Sequence, residues 1–110
     1  MNKGSAAKWV EALLTGNYAM NDGIGLRYND NTFCVAGVLE DFVSGQCWTL
    51  EEALCSYVTA EGSPHRISKD TLTRCKIKTD FAEVYEFHRA NPNKDAAFYA
   101  QWIEANYERF

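Results

Sequence analysis

Apolar residues recur at helical spacing along most of the chain, and this pattern predicts a mainly helical protein. Residues three and four positions apart share one face of a helix, which must then be covered by another part of the chain. The predicted helices run from Ala6 to Thr15, from about Val35 to Gly45, from Thr49 to Val58, from Lys69 to about Cys75, from Thr79 or Asp80 to about Ala90, and from about Lys94 to Tyr107.

Polar residues at the predicted helix starts support these assignments. Ser5 and Ser68 belong to the residue types that cap a helix by accepting a backbone N–H. Thr49 and Glu52 form a T-x-x-E capping box ahead of an apolar pattern. Gly16 follows the first predicted helix and is a typical helix terminator.

The stretch from Leu26 to Gly45 predicts a β-hairpin that leads directly into a helix. Tyr28 and Phe33 favour strands, and the three residues after Tyr28, N-D-N, tolerate a tight turn. Gly37 in the first turn of the following helix costs about 1 kcal/mol relative to alanine. We therefore expect another backbone, that of the first helix near Trp9, to approach closely at Gly37.

The length and composition of the chain favour one globular domain covering residues 1–110. A chain of 110 residues with 46% apolar and 14% aromatic residues can bury a packed core. The predicted class is α+β, mainly helical, with about five helices and a small antiparallel β-hairpin. The first ten residues lack the apolar run of a secretory signal or membrane anchor, so we expect a cytoplasmic protein without a membrane partner.

The charge is acidic and unevenly distributed. The net charge of -4 gives no general attraction to nucleic acid. Residues 1–60 carry three basic and seven acidic residues, a balance of -4, whereas residues 61–110 carry eight of each. The acidic residues that could meet a basic partner surface are Asp22, Asp30, Glu40, Asp41, Glu51 and Glu52.

Three segments resemble a family of short bacteriophage and prophage proteins. Trp9–Leu13 followed by Thr15–Tyr18 is similar to the family's W-x-x-A-L-x-S-G-x-Y. Gly25-Leu26 leading to Phe33–Leu39 is similar to its aromatic-C-C-L-G-V-L, and Asp95–Asn106 is similar to its closing F-x-x-I-A-x-x-I-E. The resemblance implies a phage-type accessory protein that binds a host protein, such as a defence or regulatory component, in the host cytoplasm. It carries over no catalytic residue.

Cys34 is the sharpest chemical candidate. A thiol at a helix N-terminus feels the positive end of the helix dipole, which lowers its pKa. With His65 or His88 as base, Cys34 could serve a cysteine-dependent enzyme. Its apolar neighbours favour a buried structural thiol instead, and Val35 stands where the family has a second cysteine.

The four cysteines together indicate neither disulfides nor a metal site. Without an export signal we expect reduced thiols, with Cys34 and Cys55 buried on apolar helical faces. The cysteines and the two histidines form no C-x-x-C or H-x-x-x-H pair. No metal or cofactor is therefore predicted.

One basic segment is the predicted partner-binding surface. Its members are Arg66, Lys69, Arg74, Lys76 and Lys78. Ile67–Arg74 also resembles the recognition helix of a helix-turn-helix, with Thr49–Val58 as the supporting helix, so a small DNA-binding regulator is the alternative. About ten residues separate these helices where the motif has three or four, which disfavours nucleic acid.

The remaining aromatic and imidazole groups yield two expectations. Tyr99, Tyr107 and Phe110 would mark an interface if they lay exposed outside the buried stripe. His88 lies on the apolar face of its predicted helix, which is typical of a hydrogen-bonded core histidine. The preferred interpretation is a non-enzymatic protein that binds a protein partner, because no catalytic arrangement stands out above its structural explanation.

Overall fold

Five helices and two small sheets form the fold in a computed structural model that describes all 110 residues. The helices are α1 (Lys3–Leu14), α2 (Val35–Ser44), α3 (Lys69–Arg74), α4 (Ala82–Ala90) and α5 (Ala96–Asn106). The strands are β1 (Ala19–Met20), β2 (Thr32–Phe33), β3 (Thr49–Glu51) and β4 (Ser56–Val58). The predicted class, mainly helical α+β, is confirmed. A Cα radius of gyration of 12.5 Å is close to the value of about 13 Å for one compact domain of this length.

Helix α1 begins earlier than its sequence predicts. The side-chain oxygen of Asn2 accepts the N–H of Ser5 at 2.7 Å, so Asn2 is the N-cap and the prediction of Ser5 is wrong. Ser5 lies inside the first turn because the Asn2 side chain already reaches that N–H. The buried face of α1 centres on Trp9 and Leu13, and the left-handed Gly16 follows its end.

Helix α2 lies at the centre of the molecule. It packs against α1, α3 and α4, and Val38 and Leu39 are fully buried. The indole N–H of Trp9 donates to the carbonyl of Val35 at 2.9 Å, which satisfies a buried donor at the α1–α2 contact. The interpretation of this segment as the packing centre agrees with these contacts.

A close backbone approach at Gly37 is present, but its partner differs from the expectation. A Cβ atom at Gly37 would lie 1.8 Å from the carbonyl oxygen of Leu26. The approaching chain is therefore the strand-like segment before the turn, and the prediction of the first helix near Trp9 is wrong. The turn folds that segment back over the N-terminus of α2, which places it nearer than α1.

The predicted hairpin around residues 29–31 forms as a short local turn. The N–H of Tyr28 donates to the carbonyl of Thr32 at 2.9 Å, and that of Cys34 donates to Leu26 at 3.1 Å. Arg27 and Phe33 form an antiparallel bridge. In addition β2 pairs in parallel with β1, a contact that the sequence pattern did not indicate.

The predicted helix from Thr49 to Val58 is wrong. This segment forms the antiparallel ribbon β3–β4, joined by a 3-10 turn at Glu52–Leu54 and by Cys55 in a left-handed conformation. Cys55 is consequently exposed and not buried. The physical reason lies in the segment Arg27–Asn29, which pairs with the other side of β4. The carbonyl of Arg27 and the N–H of Asn29 find their partners in residues 55–57, and a helix at residues 49–58 would leave both groups unpaired.

The second half of the chain follows its predicted helices closely. The Ser68 hydroxyl accepts the N–H of Thr71 at 3.2 Å and caps α3, as predicted. Before α4, the side chains of Thr79 and Asp80 accept the N–H groups of Phe81 and Ala82.

Two of the three C-terminal aromatic residues lie in the core. Tyr99 is fully buried and its hydroxyl donates to the carbonyl of Asn91 at 2.7 Å. Phe110 is 1% exposed and packs against Phe81 and Trp102. The three residues therefore do not form the exposed group that would mark an interface, because the chain turns after α5 and returns Phe110 to the core.

Candidate functional site

The structure places Cys34 in the core as the N-cap residue of α2. Its sulfur accepts the N–H of Gly37 at 3.3 Å, and the side chain lies out of contact with water. Burial raises the pKa of the Cys34 thiol to about 11, which outweighs the lowering by backbone hydrogen bonds at the helix start. The expectation of a lowered pKa is therefore wrong. A protonated buried thiol fits a structural role better than a nucleophilic one.

Neither histidine hydrogen-bonds the Cys34 sulfur. His65 is exposed on a loop, where its Nδ1 lies 3.1 Å from the carbonyl of Ile24. His88 is buried, and its Nδ1 accepts the N–H of Val35 at 3.1 Å. His88 is thus a hydrogen-bonded core histidine, as the sequence indicates, and its Nε2 has no partner.

The basic segment occupies several separate places on the surface. Its members are Arg66, Lys69, Arg74, Lys76 and Lys78, all exposed. Arg74 pairs with Asp70 one turn away on α3, at 3.0 Å. Lys76 and Lys78 lie beside Met1 and Glu108, whereas Arg66 lies in a different cleft with Arg89. Their role in partner binding stays a prediction.

The helix-turn-helix interpretation is wrong. Its supporting helix is the ribbon β3–β4, and α3 has six residues, fewer than two turns. Helix α3 is the single α-helix between residues 49 and 78, so this region lacks the two-helix unit of the motif.

The ribbon β3–β4 belongs to a longer array of extended segments. Tyr28 and Ser56 form an antiparallel bridge, with Tyr57 N–H donating to Arg27 at 2.9 Å and Asn29 N–H donating to Cys55 at 3.0 Å. The order across the array is therefore β3, β4, the segment 27–29, β2 and β1. Strand β3 lies at one edge, and no backbone hydrogen bond from outside the ribbon reaches it.

The hydrogen-bond alternation directs the backbone of Leu50 to this free edge. In an antiparallel ladder the N–H and C=O of a residue point to the same side, and successive residues alternate. The N–H of Tyr57 points towards Arg27, so the N–H and C=O groups of Ser56 and Val58 point towards β3. Leu50 is opposite Tyr57 in the register, and its N–H and C=O therefore point outwards.

The side chains at the free edge combine apolar and acidic groups. Leu50 is 42% exposed and Leu54, in the turn that follows, is 54% exposed. Glu51 and Glu52 lie between them, are exposed, and take part in no ion pair. We call the residues Thr49–Leu54 the β3 edge.

An aromatic and guanidinium cluster holds the ribbon firmly against α2. The Arg27 guanidinium lies 3.9 Å from the ring centroid of Tyr57. Asp41 on α2 accepts the Tyr18 hydroxyl and the Trp48 indole N–H, both at 2.8 Å, and its carboxylate lies 3.9 Å from Arg27. Burial and the Asp41 carboxylate raise the pKa of Tyr18. Asp41 and Arg27 thus anchor Trp48, immediately before β3, and Tyr57 in β4.

The fold and this edge define the class of protein: a helical α+β domain in which strand β3 pairs on one side only. Comparisons with protein-family models, curated proteins and solved structures find no match. None of its helices combines the length and apolar character needed to span a membrane. No three His, Cys, Asp or Glu side chains come together as a candidate metal site.

Proposed function

We propose that this protein acts by binding a protein partner, which adds an extended segment to the β3 edge. The observation that carries the proposal is the outward-facing N–H and C=O of Leu50 on an exposed edge strand. Unpaired strand edges are templates for another extended chain, because main-chain hydrogen bonds supply affinity and neighbouring side chains supply specificity.

The side chains of the edge favour a partner segment with apolar and basic residues. Full burial of a leucine side chain is worth about 1.5–3 kcal/mol, and Leu50 and Leu54 both have surface left to bury. Glu51 and Glu52 are free to pair with lysine or arginine. The balance of -4 over residues 1–60 adds a longer-range attraction for a basic partner.

A second copy of this chain fits the edge less well. Two-fold antiparallel pairing centred on Leu50 would place Leu50 opposite Leu50 and Glu51 opposite Thr49, so the second copy offers no basic residue to either glutamate. The two Glu51 residues would occupy diagonal positions on one face, about 7–8 Å apart, where like charges repel. The charge of the edge therefore supports a partner of opposite charge over self-association.

The resemblance to phage and prophage proteins supports a host protein as the partner, in the host cytoplasm. A defence or regulatory component fits that interpretation. This part of the proposal rests on the motifs at Trp9–Tyr18 and Phe33–Leu39, whereas the binding surface rests on the geometry of β3. The two parts are independent and are tested separately.

Two synthetic peptides test the surface. One alternates lysine and valine over eight residues, and the other alternates glutamate and valine. We expect the basic peptide to bind, the acidic peptide not to bind, and the amide resonances of Trp48–Glu52 to shift in NMR titrations. Binding that shifts other residues, or equal binding of both peptides, would contradict the β3 edge.

The variants Leu50→Ala and Leu50→Pro distinguish the contribution of the Leu50 side chain to peptide binding from that of its backbone N–H. Proline is tolerated on an edge strand where the lost N–H faces solvent, so both variants should fold. We expect Leu50→Pro to weaken peptide binding at least tenfold beyond Leu50→Ala, about 1.4 kcal/mol, because only proline removes the outward donor. Leu14→Ala, an exposed leucine on α1, is the matched control.

A host-lysate capture tests the identity of the partner. The protein and its Leu50→Pro variant serve as paired baits at low and moderate salt. A partner retained by the first and lost by the second supports the proposal. If the unaltered protein captures no partner from the lysate, this result contradicts a host partner. It does not bear on the binding of the peptides to the β3 edge.

A further inference from the structure

A second candidate site lies on the other half of the chain, in a cleft between α4 and the loop before α3. The cleft has a volume of about 370 Å³, within the range of about 300–1,000 Å³ that is typical of small-molecule sites. Ala82, Tyr85, Glu86 and Arg89 line one wall from a single face of α4. His65 and Arg66 line the other wall from the loop. We call this site the α4 cleft.

Hydrogen bonds from backbone N–H groups to side-chain hydroxyls hold the floor and the loop of the α4 cleft. Tyr85 is 8% exposed, and its hydroxyl accepts the N–H of Ile67 at 3.0 Å, which ties α4 to the loop. The Ser63 hydroxyl accepts the N–H groups of His65 and Arg66. The backbone that carries the basic side chains is thus held in place without a ligand.

The two arginines of the α4 cleft have no carboxylate partner. The three ion pairs of the protein are Arg27–Asp41, Arg74–Asp70 and Arg109–Glu83. Arg66 and Arg89 take part in none of them. The imidazole of His65 lies nearby, and its Nδ1 is held by the carbonyl of Ile24. Glu86, the one carboxylate in the cleft, is also unpaired.

We propose that the α4 cleft binds a phosphate monoester that carries hydroxyl groups, such as a sugar phosphate. Guanidinium groups bind phosphate oxygens through paired, charge-assisted hydrogen bonds, and a dianion gains more from two such groups than a monoanion does. The Glu86 carboxylate is an acceptor for ligand hydroxyls. The cleft has room for on the order of ten waters, more than a bare phosphate ion fills.

Titration calorimetry with ribose 5-phosphate, inorganic phosphate and ribose tests this proposal at constant ionic strength. We expect ribose 5-phosphate to bind more tightly than inorganic phosphate, and ribose alone not to bind. No saturable binding of ribose 5-phosphate would overturn the site. Equal affinity for ribose 5-phosphate and inorganic phosphate would overturn the monoester assignment.

Variants of the lining residues show whether binding occurs in the α4 cleft. Arg66→Gln and Arg89→Gln should each weaken ribose 5-phosphate binding about tenfold or more, because each removes a charged hydrogen-bond donor. Arg74→Gln, an exposed arginine on α3, is the matched control and should change little. Glu86→Gln should strengthen inorganic phosphate binding about twofold, since it removes an exposed like charge. Unchanged affinity in both Arg66→Gln and Arg89→Gln would place any binding elsewhere.

Discussion

At the scale of single residues, Gly37 shows how one missing side chain shapes the whole centre of the molecule. The carbonyl of Leu26 occupies the space that a Cβ atom would need, at 1.8 Å from its ideal position. This contact lets the turn at residues 29–31 fold back over α2. A glycine in a helix is otherwise unfavourable, so the close approach explains why this position has no side chain.

Gly37→Ala should destabilise the protein by about 3 kcal/mol or more, because a backbone carbonyl must move to admit the methyl group. Gly4→Ala is the matched control, since Gly4 also lies in a helix but its Cβ would meet only the Asn2 side chain at 3.7 Å. Gly4→Ala should stabilise by up to about 1 kcal/mol. Urea unfolding measures both, and similar stability of the two variants would contradict the close contact.

At the scale of elements, the ribbon β3–β4 has a clear hydrogen-exchange signature. The amide of Leu50 should exchange rapidly because it faces solvent, whereas those of Thr49 and Glu51 face β4 and should be protected. Amide exchange followed by NMR in the free protein measures this difference. Equal protection of Leu50 and its two neighbours would show that the edge is already covered.

Sequence reasoning succeeds for elements whose pattern and packing agree. The apolar spacing and Ser68 cap predict α3, and the spacing of Phe81, Val84, Tyr85 and His88 predicts the buried face of α4. In each case the local preference and the tertiary contacts require the same structure. The fold class followed from these elements.

The same reasoning fails for residues 49–58, where the local pattern and the tertiary contacts disagree. Leu50, Leu54 and Tyr57 match helical spacing, but Tyr57 instead stacks on Arg27 and pairs with Leu50 across the ribbon. The partner segment 27–29 is over twenty residues away in sequence, so a local pattern cannot reveal it. The run S-Y-V-T after Cys55 was the available strand signal. Because the ribbon was predicted as a helix, its β3 edge could not be predicted either. The α4 cleft could not be predicted from the basic segment alone, because Arg89 lies outside that segment.

At the scale of the whole molecule, His88 should make stability depend on pH. Burial lowers the pKa of His88 below its ordinary value of 6.5, while the Asn21 backbone and Asp22 act in the opposite direction. Its Nδ1 accepts the Val35 N–H and so cannot be protonated without losing that bond. Below about pH 6.5 the unfolded chain takes up a proton that the folded chain does not, so the free energy of unfolding falls as pH falls.

Urea unfolding between pH 7.5 and 5.5 measures this dependence. The slope due to His88 is at most about 1.4 kcal/mol per pH unit, reached between its folded and unfolded pKa values. His88→Gln should flatten the profile, and His65→Gln, which alters an exposed imidazole, should leave it unchanged. Identical slopes for the unaltered protein and His88→Gln would show that another group is responsible.

The distribution of the four thiols has a practical consequence. Cys47 and Cys55 are exposed and lie on either side of the β3 edge, whereas Cys34 and Cys75 are buried. A maleimide dye will therefore attach beside the strand without any engineered substitution, and its emission can report when the strand is occupied. The same placement means that air oxidation would join two molecules next to this strand, so reducing agent belongs in every preparation used to measure its occupancy.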